Sequence, residues 1–416
     1  MFFEKMKTLK KWLSSNNKFI LLIAAGLVFR FFLIKYGTYY QDLHSFQSWS
    51  LTLIRYPFNE FYSRISSNYL PGYMYILWLV GKIFYFVNAK LFFVPAEIIY
   101  KLPSVVADIA NTIFLYLIAV RMAKKNALKI AFLYLFNIAF FYNSVLWGQI
   151  ESFVSLFILA SFYFLIVKKF TLSFIFLILG QTVKPVLIVA LPFYLIEVFS
   201  KKGLLNTLKI VFPSIVTYIL VLLPFVNKNF VTFVIERNLA SPGIRDFTTY
   251  NSFNLWLILT SFFHNTYNMI SDSILFVGIS YQHWGYIFFV LLYLLLLVIF
   301  YTRKQQKLKN YNLLATLLMT TFLGMFFLLT QMHERHIYFG LIFTPLMYYI
   351  IHNKRAKLAI FILYFMSVLN MFFSYQIGQS GARIFNQSIL ILFSMLSFVS
   401  FLYLSYLGLG KSTQTS

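Results

Sequence analysis

Long apolar runs are the feature that most limits how this chain can fold. Residues 288–300 and 389–407 consist mainly of apolar side chains, and similar runs recur along the 416 residues between short basic clusters. A helix needs roughly 20 apolar residues to cross the hydrocarbon core of a bilayer. Only 11% of the residues are charged, whereas soluble domains carry about 25%. The sequence therefore predicts an all-α, polytopic membrane protein.

We expect one transmembrane domain over residues 1–416, because no linker rich in proline, glycine or serine divides the chain. The apolar run that begins at Phe19 continues to residue 34 without a convincing cleavage site, and we interpret it as a retained first span. About 12 spans are expected, at residues 19–36, 102–120, 130–146, 151–167, 170–184, 186–200, 208–226, 284–302, 311–330, 337–351, 358–374 and 389–407.

Residues 69–87 decide the orientation, because this segment is long enough to cross the membrane and would change the side of every later loop. If it stays on the outer face, 22 of the 35 lysines and arginines fall in cytoplasmic loops or termini. Cytoplasmic loops of membrane proteins are enriched in these residues. We therefore expect cytoplasmic N- and C-termini, an interfacial or re-entrant segment 69–87, and two long outer stretches at about 37–101 and 227–283.

Composition also excludes several classes of function. The net charge of +24 is explained by the basic loops, and no basic stripe alternates with aromatic residues on a polar face, so nucleic-acid binding is not expected. The chain contains no cysteine, which excludes disulfides, a thiolate nucleophile and cysteine metal sites. It also lacks a phosphate-binding glycine loop, a serine nucleophile elbow and a zinc-protease helix motif.

The stretch YYQDLHSFQS contains Asp42 and His44 directly after the first span. Acidic side chains near the hydrocarbon are costly and are functional candidates for that reason. A carboxylate in a partly dry pocket can act as a general base towards a hydroxyl group. Asp42 is therefore the candidate base and His44 a candidate neighbour, although a solvated aspartate that caps the next helix would have the same local sequence.

Two further stretches place polar side chains at the expected outer ends of spans. VLWGQIES contains Gln149 and Glu151, and QTVKPV contains Lys184 at an outer turn where the orientation rule disfavours lysine. Lys184 would bind an anionic phosphate as a point charge. A lysine that reaches the lipid headgroups is the alternative interpretation.

The densest polar cluster is QMHERHIY, with His333, Glu334 and Arg335 between two apolar runs. The planar guanidinium of Arg335 suits phosphate oxygens, whereas an ion pair between Glu334 and Arg335 would have a purely structural role. His333 and His336 are three residues apart, but no second cluster completes a metal site, so no metal cofactor is expected. Arg245, in the second outer stretch, is a candidate substrate ligand in a loop that orders over a substrate.

Taken in order, these stretches resemble a family. The outer-loop aspartate is followed by NYLPGYMYILWLVGK, KLPSVVADIANTIFLYLI, WGQIES, VKPVLIVALPFYL, YNSFNLW and QMHERHIY. Over about residues 1–350, the pattern resembles the membrane glycosyltransferases of the GT-C class. It is most similar to mannosyltransferases related to the second GPI mannosyltransferase, and also to dolichyl-phosphate-glucose glucosyltransferases. The chain departs from the pattern at Glu151, where relatives commonly have aspartate, and at YLPG, where they have a double proline.

The resemblance implies transfer of a hexose, mannose or glucose, from a polyprenyl or dolichyl phosphate to a lipid-linked or cell-surface acceptor, with inversion. It implies that Asp42 is the base and that His333, Glu334, Arg335 and Lys184 lie near the donor phosphate. An integral protein in the plasma membrane of a bacterium or archaeon, with its site facing outward, is the expected setting. A transporter or flippase of lipid-linked sugars is the alternative, although the sequence lacks the internal symmetry common in transporters.

Overall fold

The computed structural model describes residues 17–239, 246–265, 270–304 and 311–409, and it confirms that the protein is helical. About 80% of the chain is helical, with almost no sheet. The α-helices are α1 Asn17–Leu33, α2 Tyr40–Arg55, α3 Phe61–Arg64, α4 Pro71–Lys90, α5 Ala96–Met122, α6 Ala127–Leu135, α7 Ile138–Phe141, α8 Glu151–Ile166, α9 Phe170–Val183, α10 Leu191–Lys202, α11 Leu204–Leu222, α12 Phe230–Leu239, α13 Leu255–Phe263, α14 Tyr281–Lys304, α15 Tyr311–Leu328, α16 Tyr338–Leu341, α17 Thr344–Ile350, α18 Lys354–Ser380 and α19 Gln387–Leu409.

Shorter elements connect these helices. Single 3₁₀ turns occur at Phe58–Glu60, Lys124–Asn126, Leu187–Ala190, Leu223–Phe225 and Glu334–Ile337, and a π-helical turn occurs at Tyr142–Trp147. Four two-residue strands are β1 Thr249–Tyr250, β2 Leu275–Phe276, β3 Ile279–Ser280 and β4 Met332–His333. β1 pairs with β4 in parallel, and β2 pairs with β3 in an antiparallel hairpin.

Among the described residues, six helices are long and apolar enough to cross a membrane. They are α5, α11 with its following 3₁₀ turn, α14, α15, α18 and α19. A bent pair, Lys124–Leu135 with Ile138–Trp147, brings the number to seven if it counts as one span. The length and hydropathy of these helices indicate an integral membrane protein. Of the about 12 spans expected from the sequence, these six or seven meet the criteria of length and hydropathy.

The other expected spans are shorter or interrupted, and proline explains two of the interruptions. Residues 337–351 form α16 and α17 rather than one helix, and Pro345 lies in the first turn of the second of them. Residues 186–200 form a 3₁₀ turn followed by α10, with Pro192 in its first turn. Proline lacks a backbone N–H and is favoured in the first turn of a helix, where that group has no intrahelical partner.

The segment 69–87 lies mostly within α4, whose first residue is Pro71. Its buried face, which includes Tyr73 and Leu77, packs against the core, while Leu79 and Phe86 are exposed. α4 is 20 residues long but is not among the six helices that meet the spanning criteria in the described chain.

The functional residues are gathered where the start of α2 meets the turn that precedes α8. The backbone N–H of Thr38 donates to the carbonyl oxygen of Leu146, and the N–H of Tyr39 donates to that of Trp147 at 3.2 Å. Gly37, with a φ of +73°, makes this approach possible, because a Cβ there would lie 2.5 Å from the Leu146 oxygen. The first turn of α2 is therefore fixed directly beside Trp147.

A second junction positions the segment from Gln331 to Ile337. The parallel pairing of β1 and β4 aligns Tyr250 with His333. Asp272 accepts hydrogen bonds of 2.9 Å from the side chains of both Thr330 and Gln331. These contacts hold the loop after α15 against the outer segment 246–252, and so they determine where the following polar residues point.

Candidate functional site

One cavity of about 670 Å³ collects most of the polar residues that the sequence singled out. Asp42 lines this cavity together with aromatic side chains from the start of α2 and from the turn before α8. Lys184 and the segment from Gln331 to His336 line it as well. Members of α12, α14, α15 and α18 complete the lining: Asn238, Tyr286, Phe322, Met325, Phe326, Ser374, Ile377 and Gly378.

Asp42 is held by two neutral donors. The indole Nε1 of Trp147 donates to its Oδ2 at 2.9 Å, and the amide Nε2 of Gln149 donates to the same oxygen. Asp42 also lies in the first turn of α2, where the positive end of the helix dipole stabilises a negative charge. The two hydrogen bonds fix the orientation of the Asp42 carboxylate at the cavity.

His44 does not belong to this arrangement. It is exposed, its ring lies 6.2 Å from that of Tyr40, and it is not among the residues that line the cavity. Residues two apart on an α-helix are related by a rotation of about 200° around the helix axis. Asp42 and His44 therefore occupy opposite faces of α2. The structure therefore does not bring His44 into the cavity that Asp42 lines.

Two cations line the same cavity. The Nζ of Lys184 lies 2.7 Å from Oε1 of Glu151 and 3.3 Å from Nε2 of His336. The Nη1 of Arg335 donates to Oε1 of Glu334 at 3.0 Å. The Arg335 Nε is buried and makes no hydrogen bond to any described residue.

Glu151 lies behind these cations. Its side chain is fully buried, it does not line the cavity, and its Oε2 accepts a hydrogen bond of 3.2 Å from Asn143. The Nε of Arg335 is 3.7 Å from its Oε1. The structure therefore places Glu151 among Lys184, Arg335 and Asn143 and not at the surface of the cavity.

Gln149 is also buried, with no exposed surface. Its backbone is fixed by hydrogen bonds from its N–H to Asn143 and from the Ser104 hydroxyl to its carbonyl oxygen, the latter 2.6 Å long. Its side chain reaches Asp42 rather than the cavity, so Gln149 acts on the candidate base and not directly on a ligand.

The segment that follows α15 combines charged and neutral groups. The ring of His333 stacks on Tyr250, with centroids 4.5 Å apart. Burial raises the pKa of Glu334, although Arg335 opposes this shift. Burial, together with the positive charges of Lys184 and Arg335, holds the pKa of His336 well below its usual range. His336 is therefore neutral near pH 7. Its Nδ1 accepts a hydrogen bond from the backbone N–H of His333, and its Nε2 lies 3.3 Å from the Nζ of Lys184.

The remaining outer-loop residues lie away from this cavity or cannot be placed. Arg245 lies outside the described residues. Asp246 is exposed, and its carbonyl oxygen accepts a hydrogen bond of 2.9 Å from the backbone of Asp272. Within the described ranges, no three histidine, aspartate or glutamate side chains come together in a group that could hold a metal ion.

Sequence reasoning missed two features near the site. Tyr69 lines the cavity, and its hydroxyl lies 3.4 Å from Oε1 of Gln149; nothing in its local sequence distinguishes it from the other tyrosines. Arg30 forms a fully buried ion pair with Asp108, with Nε 3.0 Å from Oδ2. An arginine in the middle of an apolar run is a signal that could have revealed this pair.

The chain matches no protein-family model and no curated protein. The cavity combines a carboxylate that can accept a proton with two cations that can neutralise an anion. This combination suits a reaction in which a hydroxyl group displaces an anionic leaving group.

Proposed function

We propose that the protein transfers a hexose from a polyprenyl or dolichyl phosphate to a hydroxyl group of a lipid-linked or surface glycan. The observation that carries the proposal is that Asp42, Lys184 and Arg335 line one cavity, where the charges of Lys184 and Arg335 interact with that of Asp42. A base and an anion-binding site are both needed when a hydroxyl displaces a phosphate.

In the proposed step, Asp42 accepts the proton of the acceptor hydroxyl. At the same time, the oxygen of that hydroxyl forms a bond to the anomeric carbon of the hexose. The bond from that carbon to the phosphate oxygen breaks, and the phosphate leaves with the electron pair. Lys184 and Arg335 stabilise the negative charge of the departing lipid phosphate. A single displacement inverts the anomeric configuration. These cations supply the positive charge, so the proposal does not require a metal.

The surface of the helical domain supports a donor that carries a lipid tail. The apolar windows of α11 and α14 are each only 17% buried inside the protein, which leaves long apolar faces available to lipid. Tyr286 of α14 also lines the cavity. A polyprenyl chain lying along such a face would bring its phosphate to the cavity without leaving the apolar phase.

The proposal includes a GT-C type arrangement with about 12 membrane segments and cytoplasmic termini. The cavity then faces outward, in the plasma membrane of a bacterium or archaeon. The arrangement is supported by the order of the sequence motifs, which resembles that of the GT-C class. The orientation is supported by the basic residues in the loops that are predicted to be cytoplasmic. Mannose is favoured over glucose by the same resemblance.

A transporter or flippase would use the same cavity for binding without chemistry, and one experiment separates the two functions. The purified protein is placed in liposomes with polyprenyl-phosphate [³H]mannose or [³H]glucose and a crude lipid-linked glycan fraction. Transfer predicts label in the glycan and release of the polyprenyl phosphate. Movement of intact donor between leaflets, without release of the phosphate, would support the flippase and contradict the transferase.

A further inference from the structure

We propose that Asp42 accepts the proton on Oδ1, and that Tyr69 is a positioning residue that sets this choice through Gln149. The expected effect on the rate of hexose transfer rests on the proposed function. The expected effect on the chemical labelling of Asp42 does not, because it can be measured without turnover. It assigns roles to two oxygens of one carboxylate and to a tyrosine that does not contact Asp42.

The two oxygens of Asp42 have different surroundings. Oδ2 accepts both hydrogen bonds, from Trp147 and from Gln149. Oδ1 accepts no hydrogen bond from any of the described residues, while Asp42 is half-buried and lines the cavity. An oxygen that already accepts two donors is the poorer proton acceptor. Oδ1 is thus the more basic atom, and it has no protein partner to displace.

The orientation of the Gln149 amide decides whether this arrangement exists. The two ends of a glutamine amide have nearly the same shape, but only the nitrogen can donate to a carboxylate. The Tyr69 hydroxyl donates to Oε1 of Gln149 at 3.4 Å, which leaves Nε2 directed at Asp42. If the amide were reversed, its oxygen would face the carboxylate and repel it.

Tyr69 is itself firmly placed. Its side chain is 7% exposed, and its ring packs edge-on against Trp49 with centroids 5.4 Å apart. The Nζ of Lys184 lies 5.8 Å from the centre of the same ring. Tyr69 is therefore held from both sides, and its hydroxyl can impose one orientation on Gln149.

Other ionisable groups interact with the charge of Asp42 or line the same cavity, and the charge of each must stay unchanged in the test. They are Tyr69, Lys184, Glu334 and Arg335, together with His333 and His336. Tyr69→Phe removes a hydroxyl that has no charge near neutral pH, and Gln149→Met removes an uncharged amide of similar shape. Both variants keep every charge in the cavity.

The control is Tyr73→Phe. Tyr73 is a buried neighbour of Tyr69, with ring centroids 5.6 Å apart, and its hydroxyl makes no hydrogen bond to any described residue. Loss of this hydroxyl tests the effect of altered packing in the same cluster without touching Gln149.

Two measurements are made on the full-length protein in detergent. The first is the rate at which a water-soluble carbodiimide and glycine ethyl ester label the peptide that contains Asp42, followed by mass spectrometry from pH 4 to 8. Carbodiimides react with protonated carboxyl groups. We expect the midpoint of labelling to move up by roughly one pH unit in Gln149→Met and by less in Tyr69→Phe, because a hydrogen bond to a charged group is lost or weakened. Tyr73→Phe should label as the wild type does.

The second measurement is the pH dependence of hexose transfer. The acid limb should move in the same direction as the labelling midpoint, and kcat should fall roughly tenfold in Gln149→Met while KM for the donor stays within about twofold. If both variants label as the wild type does, the positioning role is wrong, whatever the activity. If labelling shifts as expected but the wild type transfers no sugar, the positioning role stands and the proposed function fails.

Discussion

Lys184 and Glu151 form a buried ion pair across 33 residues of sequence, with Nζ 2.7 Å from Oε1. The pair joins the end of α9 to the start of α8, and its lysine lines the cavity. It explains how a lysine can be buried at this turn. The carboxylate supplies the partner that a buried ammonium group needs, and Nε2 of His336 lies 3.3 Å from the same Nζ.

Breaking this pair should destabilise the protein. Glu151→Gln leaves the Lys184 charge buried without a carboxylate in contact, and we expect a loss of about 3–5 kcal/mol together with weaker donor binding. Thermal unfolding in detergent measures the first effect. The double variant Glu151→Gln/Lys184→Met should be more stable than Glu151→Gln alone, because it removes the uncompensated charge.

Glu60→Gln is the matched control for that prediction. Glu60 pairs with Arg64 one turn away, but both side chains are more than 40% exposed. Exposed pairs contribute less than about 1 kcal/mol, so this variant should unfold almost as the wild type does. Equal losses for Glu60→Gln and Glu151→Gln would show that the buried pair has no special role.

Asp42→Asn should nearly abolish hexose transfer. The amide keeps the size of the side chain but cannot accept the acceptor proton, and general-base catalysis is worth about 10²–10⁴-fold in rate. Binding of the donor, measured by retention of radiolabelled lipid, should change little, and so should the unfolding temperature. Transfer at a rate near that of the wild type would remove Asp42 from the catalytic role.

Replacement of Arg335 separates a ligand-binding role from a structural one. Arg335→Lys keeps the charge but loses the planar fork that binds two phosphate oxygens, so donor affinity should fall. Turnover and affinity are measured with the lipid donor, and stability by thermal unfolding. If Arg335→Ala lowers only the unfolding temperature and leaves affinity and turnover unchanged, its partner is Glu334 and not a phosphate.

The low pKa of His336 predicts a stability loss in mild acid. Because folding lowers this pKa, the unfolded state binds the proton more tightly, and stability is fully present only above the ordinary value of about 6.5. It should fall by about 1.4 kcal/mol for each pH unit below that value. Glu334 has the opposite effect on the pH dependence of stability, because its pKa is raised. The effect of His336 must therefore be measured by comparing the wild type with a variant that lacks His336.

His336→Gln removes the titrating group and keeps a polar side chain. The difference in unfolding temperature between pH 7.5 and pH 5.5 should therefore be smaller in this variant than in the wild type. An unchanged difference would mean that protonation of another group causes the acid sensitivity.

The proposed orientation predicts which surface positions an impermeant reagent can reach. The chain contains no natural cysteine, so single cysteines can be introduced without background. Asn126→Cys and Ser200→Cys should react only from the cytoplasmic side, and Glu60→Cys only from outside. Labelling of Asn126→Cys from outside would reverse the orientation and would mean that residues 69–87 cross the membrane.

The class of protein could be predicted from sequence, and the physical reason is that hydropathy is a local property. Apolar runs of about 20 residues indicate helices in a membrane whatever their neighbours are, and α5, α15 and α18 lie where such runs occur. The same locality marked Asp42, Lys184 and Arg335, because charged side chains in apolar surroundings are costly and therefore conspicuous. All three line one cavity.

The partners of these residues were decided only by the tertiary structure. His44 seemed to accompany Asp42, but the helical turn separates them, while Trp147 and Gln149 reach Asp42 from more than 100 residues away. Glu151 seemed able to face a substrate but is enclosed by Lys184 and Arg335. Hydrogen bonds and ion pairs between distant segments depend on how helices pack and where the chain turns, and such contacts leave no periodic signal in the sequence.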